Sequence, residues 1–192
     1  TIYPNHYETD NPRHIDLDLA FQRIKTGKQS ETIQAIREGD KKKKKDLPLI
    51  LFSGIFDSRK DDSLRKHSGY IVLDFDHIDV PVAKQSLSDD EYVKACWVSP
   101  SGDGLKALVK IDDPTKHRSH FRAMCNHFSE THGLLVDQSG INESRGCYES
   151  YDPTLYINEN SEVWDRIDEE EHTDIVKASV GVTIPITDEN KI

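Results

Sequence analysis

GYIVLDFDHID, residues 69–79, places two aspartates at the end of a run of aliphatic residues. The run predicts a buried β-strand, and Asp74 and Asp76 lie at its end with Phe75 between them. Because successive side chains of a strand alternate between its faces, the two carboxylates should point the same way, about 7 Å apart. Two like charges so placed destabilise a fold unless a divalent cation offsets their repulsion. The stretch therefore indicates either a metal site or a strand end whose aspartates lie in water.

Asp137 closes a second short apolar run, GLLV at residues 133–136. A third carboxylate on a strand next to Asp74 and Asp76 would complete a site for two metals, as used in phosphoryl and nucleotidyl transfer. Oxygen ligands select Mg²⁺ or Mn²⁺ rather than zinc. Two alternatives remain open, because Asp137 can instead initiate a turn before QSG, and DxD pairs also occur in phosphatases and glycosyltransferases.

A β-hairpin is predicted for EYVKACWVSPSGDGLKALVKI, residues 91–111, with Gly102 and Gly104 in its turn. The turn brings together glycine backbone N–H groups, the Ser101 hydroxyl and the Lys106 ammonium, which are groups suited to binding a triphosphate. Its spacing is not that of a Walker P-loop, and it joins two strands rather than a strand and a helix. An ordinary hairpin turn is the alternative interpretation.

Basic side chains occur in three further places along the chain. Arg145 follows Asp137 by eight residues and is a candidate for bidentate phosphate binding or for a surface salt bridge. Five consecutive lysines, Lys41 to Lys45, predict a loop that is either a solvated turn or a contact to phosphates. The basic residues within 59–67 directly precede the Asp74 strand, so they are candidates for the same cleft.

Amphipathic periodicity and capping residues predict four helices, within residues 15–26, 30–37, 80–92 and 113–132. No run approaches the roughly 20 apolar residues of a membrane span. The three cysteines are far apart and form no CxxC pair, so buried structural thiols are expected at Cys96, Cys125 and Cys147.

The charge is unevenly distributed along the chain. Residues 159–192 contain ten acidic and three basic residues, so they carry −7 of the total net charge of −10. We therefore predict a catalytic or binding domain at residues 1–158 and an acidic tail or linker at 159–192, unless Val163 and Trp164 anchor this segment on the domain. The remaining charge of −3 on residues 1–158 leaves nucleic-acid binding open.

The order of the motifs resembles the catalytic core of the archaeo-eukaryotic primase superfamily, the primase-polymerases. In that superfamily the first and third motifs bind metal, and the middle motif binds the incoming nucleotide. Here the first motif is LDFD with Asp74 and Asp76, and the third is LLVD with Asp137. The middle motif is SGDGLK with Ser101 and Lys106, where Lys106 stands in place of the usual histidine.

Four segments are similar to the bacterial branch of VirE N-terminal-like domains: FSGIF, HSGYIVLDFDHID, WVSPSGDGLKALVKI and ESRGCYESYDPTLYIN. The resemblance implies an α+β fold with an RRM-like, largely antiparallel sheet and flanking helices, the palm of the primase-polymerases. It also implies Mg²⁺ or Mn²⁺, nucleotide triphosphates and a single-stranded DNA template as ligands. A helicase or other C-terminal partner domain, no membrane association and a bacterial cytoplasmic location are further expectations.

The function that the resemblance implies is metal-dependent synthesis or extension of nucleic-acid primers. The expected metal ligands are Asp74, Asp76 and Asp137. The expected nucleotide-binding residues are Ser101, Gly102, Gly104, Lys106 and Arg145. The alternatives are a non-catalytic module of the same fold that binds nucleotide or single-stranded DNA, and another DxD metal enzyme.

Overall fold

An α+β fold built on antiparallel sheets is seen in the computed structural model, which describes residues 1–169. The α-helices of this part are α1 (Leu17–Thr26), α2 (Ser30–Arg37), α3 (Val80–Ser88) and α4 (His117–His132). Its strands are β1 (Ile2–Tyr3), β2 (Leu49–Ile50), β3 (Gly54–Phe56), β4 (Leu64–His67), β5 (Tyr70–Phe75), β6 (Val93–Val98), β7 (Leu105–Lys110), β8 (Cys147–Tyr148) and β9 (Tyr156–Ile157). Short 3₁₀ helices span Lys41–Asp46, Asp61–Ser63, Pro114–Lys116 and Gln138–Ile141.

The central sheet has four antiparallel strands in the order β5-β7-β6-β9. The predicted hairpin is confirmed, because β6 and β7 pair across the turn that carries Gly102. Two smaller antiparallel sheets, β1-β2-β8 and β3-β4, complete the described strands. The predicted α+β class with a largely antiparallel sheet is thus confirmed.

Alternation along β5 divides its side chains between two hydrophobic clusters. Ile71, Leu73 and Phe75 belong to the cluster that also contains the buried residues of α3 and α4. Val72 belongs to the cluster on the opposite face, which contains residues of α1, β2 and the β6–β7 hairpin. The sheet is therefore covered on both faces, and Asp74 projects on the same side as Val72.

Capping residues that the sequence indicated mark both ends of α1 and the start of the helical segment after Asp113. The Asp16 side chain accepts a hydrogen bond from the Leu19 N–H and begins α1, and Gly27 ends it in the left-handed region with φ of 72°. The predicted helix after Asp113 starts with the 3₁₀ turn Pro114–Lys116, which Asp113 caps. The α-helix proper begins at His117.

Two predicted strands are shorter or absent within residues 1–169. The apolar run 47–54 forms strand only at Leu49–Ile50 and again from Gly54. Residues 134–137 join none of the described sheets, although Leu134 and Val136 are buried and Leu135 is exposed, as alternation along a strand would require. One hydrogen bond, from the Asp137 N–H to the Asp74 carbonyl, connects this segment to β5.

The chain continues to pack on the domain beyond residue 158, the predicted end of the domain. Trp164 is fully buried in the core cluster with α4, and its backbone bonds to Lys110 and Asp112. Burial of a large aromatic ring stabilises a fold, so residues as far as Trp164 pack on the domain, which is the alternative that the sequence left open. The acidic residues of the predicted tail from 170 onward lie outside the described residues.

The structure also bears on two features noted in the sequence, the apolar content of the helices and the three cysteines. In the part of the chain that the structure describes, no helix has the length and apolar character needed to cross a membrane. Cys96, Cys125 and Cys147 are buried free thiols, as expected.

Candidate functional site

Asp74, Asp76 and Asp137 come together at the end of β5. Each contributes a carboxylate oxygen, and these three oxygens lie within 4.8 Å of one another. Asp74 and Asp76 share a face because Phe75 between them is buried in the core on the other side of the sheet. Asp137 reaches them because its backbone N–H donates to the Asp74 carbonyl at 2.8 Å. The three residues selected from the sequence as metal ligands thus lie in one place.

Lys106 is the direct cross-strand neighbour of Asp74 in the β5–β7 register. Its ammonium forms a salt bridge with Oδ2 of Asp74, and the residue is only 7% exposed. Burial alone would lower the pKa of Lys106, but the neighbouring acidic groups, Cys147 and then Asp74, raise it above its ordinary value. Burial raises the pKa of the Cys147 thiol to about 11, so at neutral pH the charge that Lys106 meets is that of Asp74.

The two other carboxylates have opposite electrostatic environments. The pKa of Asp76 is raised, mainly by burial and secondly by the negative charge of Asp74. Burial would also raise the pKa of Asp137, but hydrogen bonds from Ser139 and the charge of Arg145 hold it below the usual value. Asp76 is therefore the member of the group that most lacks a compensating positive charge.

One buried oxygen of the group has no hydrogen-bond partner among the described residues. This atom is Oδ1 of Asp74, which is buried, while Oδ2 of the same carboxylate binds Lys106. A buried carboxylate oxygen left without a donor costs free energy, and a cation bound there would remove that cost. An all-oxygen donor set with such an atom fits Mg²⁺ or Mn²⁺.

The aspartates line a cleft of about 400 Å³ that also contains positive side chains. Its walls come from the end of β5, β7, the lysine-rich 3₁₀ turn and the segment 137–148. The cations that line it are Lys44, Arg59, Lys106 and Arg145. A cleft with carboxylates at one point and cations around them suits a ligand that carries both a metal and phosphates.

The lysine run contributes one of its five side chains to the cleft. Lys44 is half-buried, with its ammonium 3.4 Å from the Ser101 hydroxyl and 5.7 Å from the centre of the Tyr148 ring. The other four lysines are exposed. Arg59 is the member of the basic group at 59–67 that lines the cleft, whereas Lys66 and His67 line a separate cavity.

The remaining predicted nucleotide-binding residues divide into two groups. Arg145 lines the cleft and lies 3.3 Å from Asp137. The hairpin-turn residues do not line the cleft: Ser101, Gly102 and Gly104. A Cβ at Gly104 would lie 2.4 Å from the Phe75 carbonyl, so this glycine allows the hairpin to approach the end of β5.

Sequence reasoning missed His6 and Tyr148, which also line the cleft. The Tyr148 hydroxyl and Nδ1 of His6 are 2.7 Å apart, and the two rings stack with centroids 6.0 Å apart. The two residues are 142 positions apart in the chain. No local pattern signals such a pair.

Comparison of the chain with known proteins identifies its family. The family model for "BT4734-like, N-terminal domain" matches residues 42–157, which include the three aspartates and all four cations of the cleft. No curated protein and no solved structure gives a significant match. Because the matched range covers more than half of the chain, the protein belongs to the BT4734-like N-terminal domain family.

Proposed function

We propose that this domain is a metal-dependent nucleotidyltransferase of the primase-polymerase type. The observation that carries the proposal is the convergence of Asp74, Asp76 and Asp137 within 4.8 Å in a cleft lined by four cations. Polymerase-type phosphoryl transfer uses such carboxylates with positively charged groups that stabilise a triphosphate. Each of these features is present in residues 1–169, and no part of the proposal requires a residue outside them.

The three carboxylates would hold Mg²⁺ or Mn²⁺, and the buried, partnerless Oδ1 of Asp74 would gain a compensating charge from that cation. When bound, the metal would lower the pKa of a primer 3′-hydroxyl and offset charge on the departing pyrophosphate. Lys106 already neutralises the other oxygen of Asp74. It limits the negative charge that the site accumulates when no metal is bound.

We assign phosphate binding to the cations of the cleft other than Lys106. Lys44, Arg59 and Arg145 line the cleft from three different segments, so together they surround a triphosphate rather than contact a single phosphate. Ser139 and Ser144 line the same cleft, and since the Ser139 hydroxyl already donates to Asp137, Ser144 is the candidate for a further donor. We infer that nucleotide triphosphates are the substrates and that single-stranded DNA is the template.

The order of elements supports a palm of the RRM type. From β5 to β7 the chain reads strand, helix, strand, strand, with β7 between β5 and β6, and α4 follows. This is the first part of the βαββαβ arrangement. After α4, the Asp137 N–H bonds to the Asp74 carbonyl at the end of β5, on the strand with which the fourth strand of that arrangement would pair. The described fourth strand, β9, pairs with β6 at the other edge instead.

The proposal is tested by nucleotide incorporation on a primed single-stranded template with Mn²⁺. We expect incorporation by the wild-type chain and a loss of about 100-fold or more in Asp76→Asn, because even outer-shell changes at metal sites cost about 10–100-fold. Asp103→Asn is the matched control, since it removes the same charge from the nearby hairpin turn without lining the cleft. Equal incorporation by Asp76→Asn and Asp103→Asn would contradict the proposal.

A non-catalytic nucleotide-binding module is the second candidate. The observation that favours it is the salt bridge of Lys106 with Asp74, which already compensates one carboxylate. In that case triphosphate would bind in a way that depends on Arg59 and Arg145, but no incorporation would occur with Mg²⁺ or Mn²⁺. Calorimetric titration with a non-hydrolysable triphosphate, run beside the incorporation assay, separates the two functions.

A further inference from the structure

We propose that Asp90, His127 and His132 form a second metal site, which binds a zinc-type cation. Asp90 lies between α3 and β6, and the histidines lie in the last turns of α4. Nε2 of His127 is 2.8 Å from Oδ2 of Asp90, and Nε2 of His132 is 2.7 Å from the same oxygen. All three ligand atoms lie within 4.8 Å of one another.

The site is separate from the aspartate cleft. None of its three residues is part of the described cleft lining, and none is shared with the group at Asp74. It lies at the α3 and α4 side of the central sheet, where His127 and His132 pack around Phe128. Asp74 projects from the opposite face of that sheet. The two sites therefore bind their ions independently.

Each ligand is held in place by a second contact. The Ser86 hydroxyl is 2.7 Å from Nδ1 of His132, and the Thr131 hydroxyl is 3.4 Å from Nδ1 of His127. Oδ1 of Asp90 accepts a hydrogen bond from the Tyr92 N–H at 2.9 Å. Such outer contacts orient metal ligands and leave Nε2 and one carboxylate oxygen directed at a common point.

The surroundings of the site also favour a bound ion. The side chains of Asp90, His127 and His132 are 4%, 13% and 11% exposed, so they are shielded but reachable. The rings of Tyr92 and Trp164 pack edge-on against His127, with centroids 5.7 Å and 5.2 Å away. This aromatic wall reduces competition from water for the ligands.

The donor set decides the class of metal. Two imidazole nitrogens and one carboxylate oxygen suit zinc and neighbouring transition metals, whereas Mg²⁺ prefers oxygen alone. Ligand atoms at about 2.0–2.1 Å from a tetrahedral zinc lie about 3.3 Å apart. The two nitrogen–oxygen separations need to widen by about half an ångström to admit the ion. Three protein ligands leave a fourth position for water.

The test is a Zn²⁺ titration of the wild-type chain, with Co²⁺ as a spectroscopic probe. We expect one equivalent to bind at the histidine site and to raise the melting temperature by about 5–10 °C at a hundredfold excess over Kd. Tetrahedral Co²⁺ at this site should absorb visible light. His127→Gln and His132→Gln should weaken binding by at least about tenfold, as loss of a metal ligand implies.

Two control variants show where the ion binds. His14→Gln removes an exposed histidine elsewhere, and Asp76→Asn alters the aspartate cleft, so both should keep the Zn²⁺ affinity of the wild type. The proposal would be overturned if His127→Gln and His132→Gln, the two α4 variants, both kept the Zn²⁺ affinity of the wild type. It would also be overturned if Asp76→Asn lost Zn²⁺ affinity. If the α4 variants do not fold, the imidazole NMR signals of the wild type decide the question. We then expect Zn²⁺ to shift the imidazole signals of His127 and His132. If these signals do not shift, the proposal of a zinc site is overturned.

Discussion

Replacing Trp164 with alanine is expected to lower the free energy of unfolding by about 3–5 kcal/mol, the usual cost of removing a buried large aromatic side chain. The indole is fully buried in the core with α4 and packs against Tyr92 with ring centroids 4.9 Å apart. Its Nε1 donates to the Arg166 carbonyl at 2.6 Å. The hydrogen bonds of the Trp164 backbone do not depend on the ring, so the loss measures the packing of the indole together with its hydrogen bond to the Arg166 carbonyl.

Urea unfolding of Trp164→Ala beside Val163→Ala provides the comparison. Val163 is the preceding residue but is 38% exposed, so its truncation should change stability by less than about 0.5 kcal/mol. Similar stabilities for the two variants would show that the segment after residue 158 is not part of the folded domain. The same reasoning predicts that a chain ending at residue 169 is much more stable than one ending at residue 158.

Lys106→Met is expected to cost about 3 kcal/mol of stability, the lower end of the range for breaking a buried ion pair. Methionine keeps most of the aliphatic stem but removes the ammonium that bridges to Asp74. Asp74 and Asp76 are then left close together without that compensating charge. The cost stays near the lower end because the Asp74 side chain is 23% exposed and can bind water.

Measuring the stability of Lys106→Met with and without Mn²⁺ also tests whether the aspartates bind metal. If Asp74 and Asp76 bind a divalent cation, Mn²⁺ should restore part of the stability lost in Lys106→Met, measured by thermal unfolding. Lys110→Met is the matched control, because Lys110 lies on the same face of β7 but is exposed. A Lys106→Met chain as stable as Lys110→Met would contradict the role of the ion pair. Loss without recovery in Mn²⁺ would argue against metal binding at the aspartates.

Local sequence patterns are sufficient to predict most of the helices and the central hairpin. Asp16 and Gly27 delimit α1 through contacts within one turn, and alternation in β5 placed Asp74 and Asp76 on one face. These features depend on neighbours close in sequence, so the residue types alone encode them. The same locality explains why the turn with Gly102 was predicted correctly.

Contacts between distant segments account for what could not be predicted. Asp74 meets Lys106 only because of the β5–β7 register, and Asp137 reaches the site through one backbone hydrogen bond rather than a strand. The sequence left open whether Trp164 anchors the acidic segment, and only the assembled core shows that it is fully buried. The approach of Asp90 to the end of α4 likewise depends on how α3 and α4 pack on the sheet. Such contacts form only when the whole core is assembled, because burial and register are set by many residues together. The sequence by itself determined which residues carry charge and which local elements form, whereas tertiary packing decided which of those charges meet.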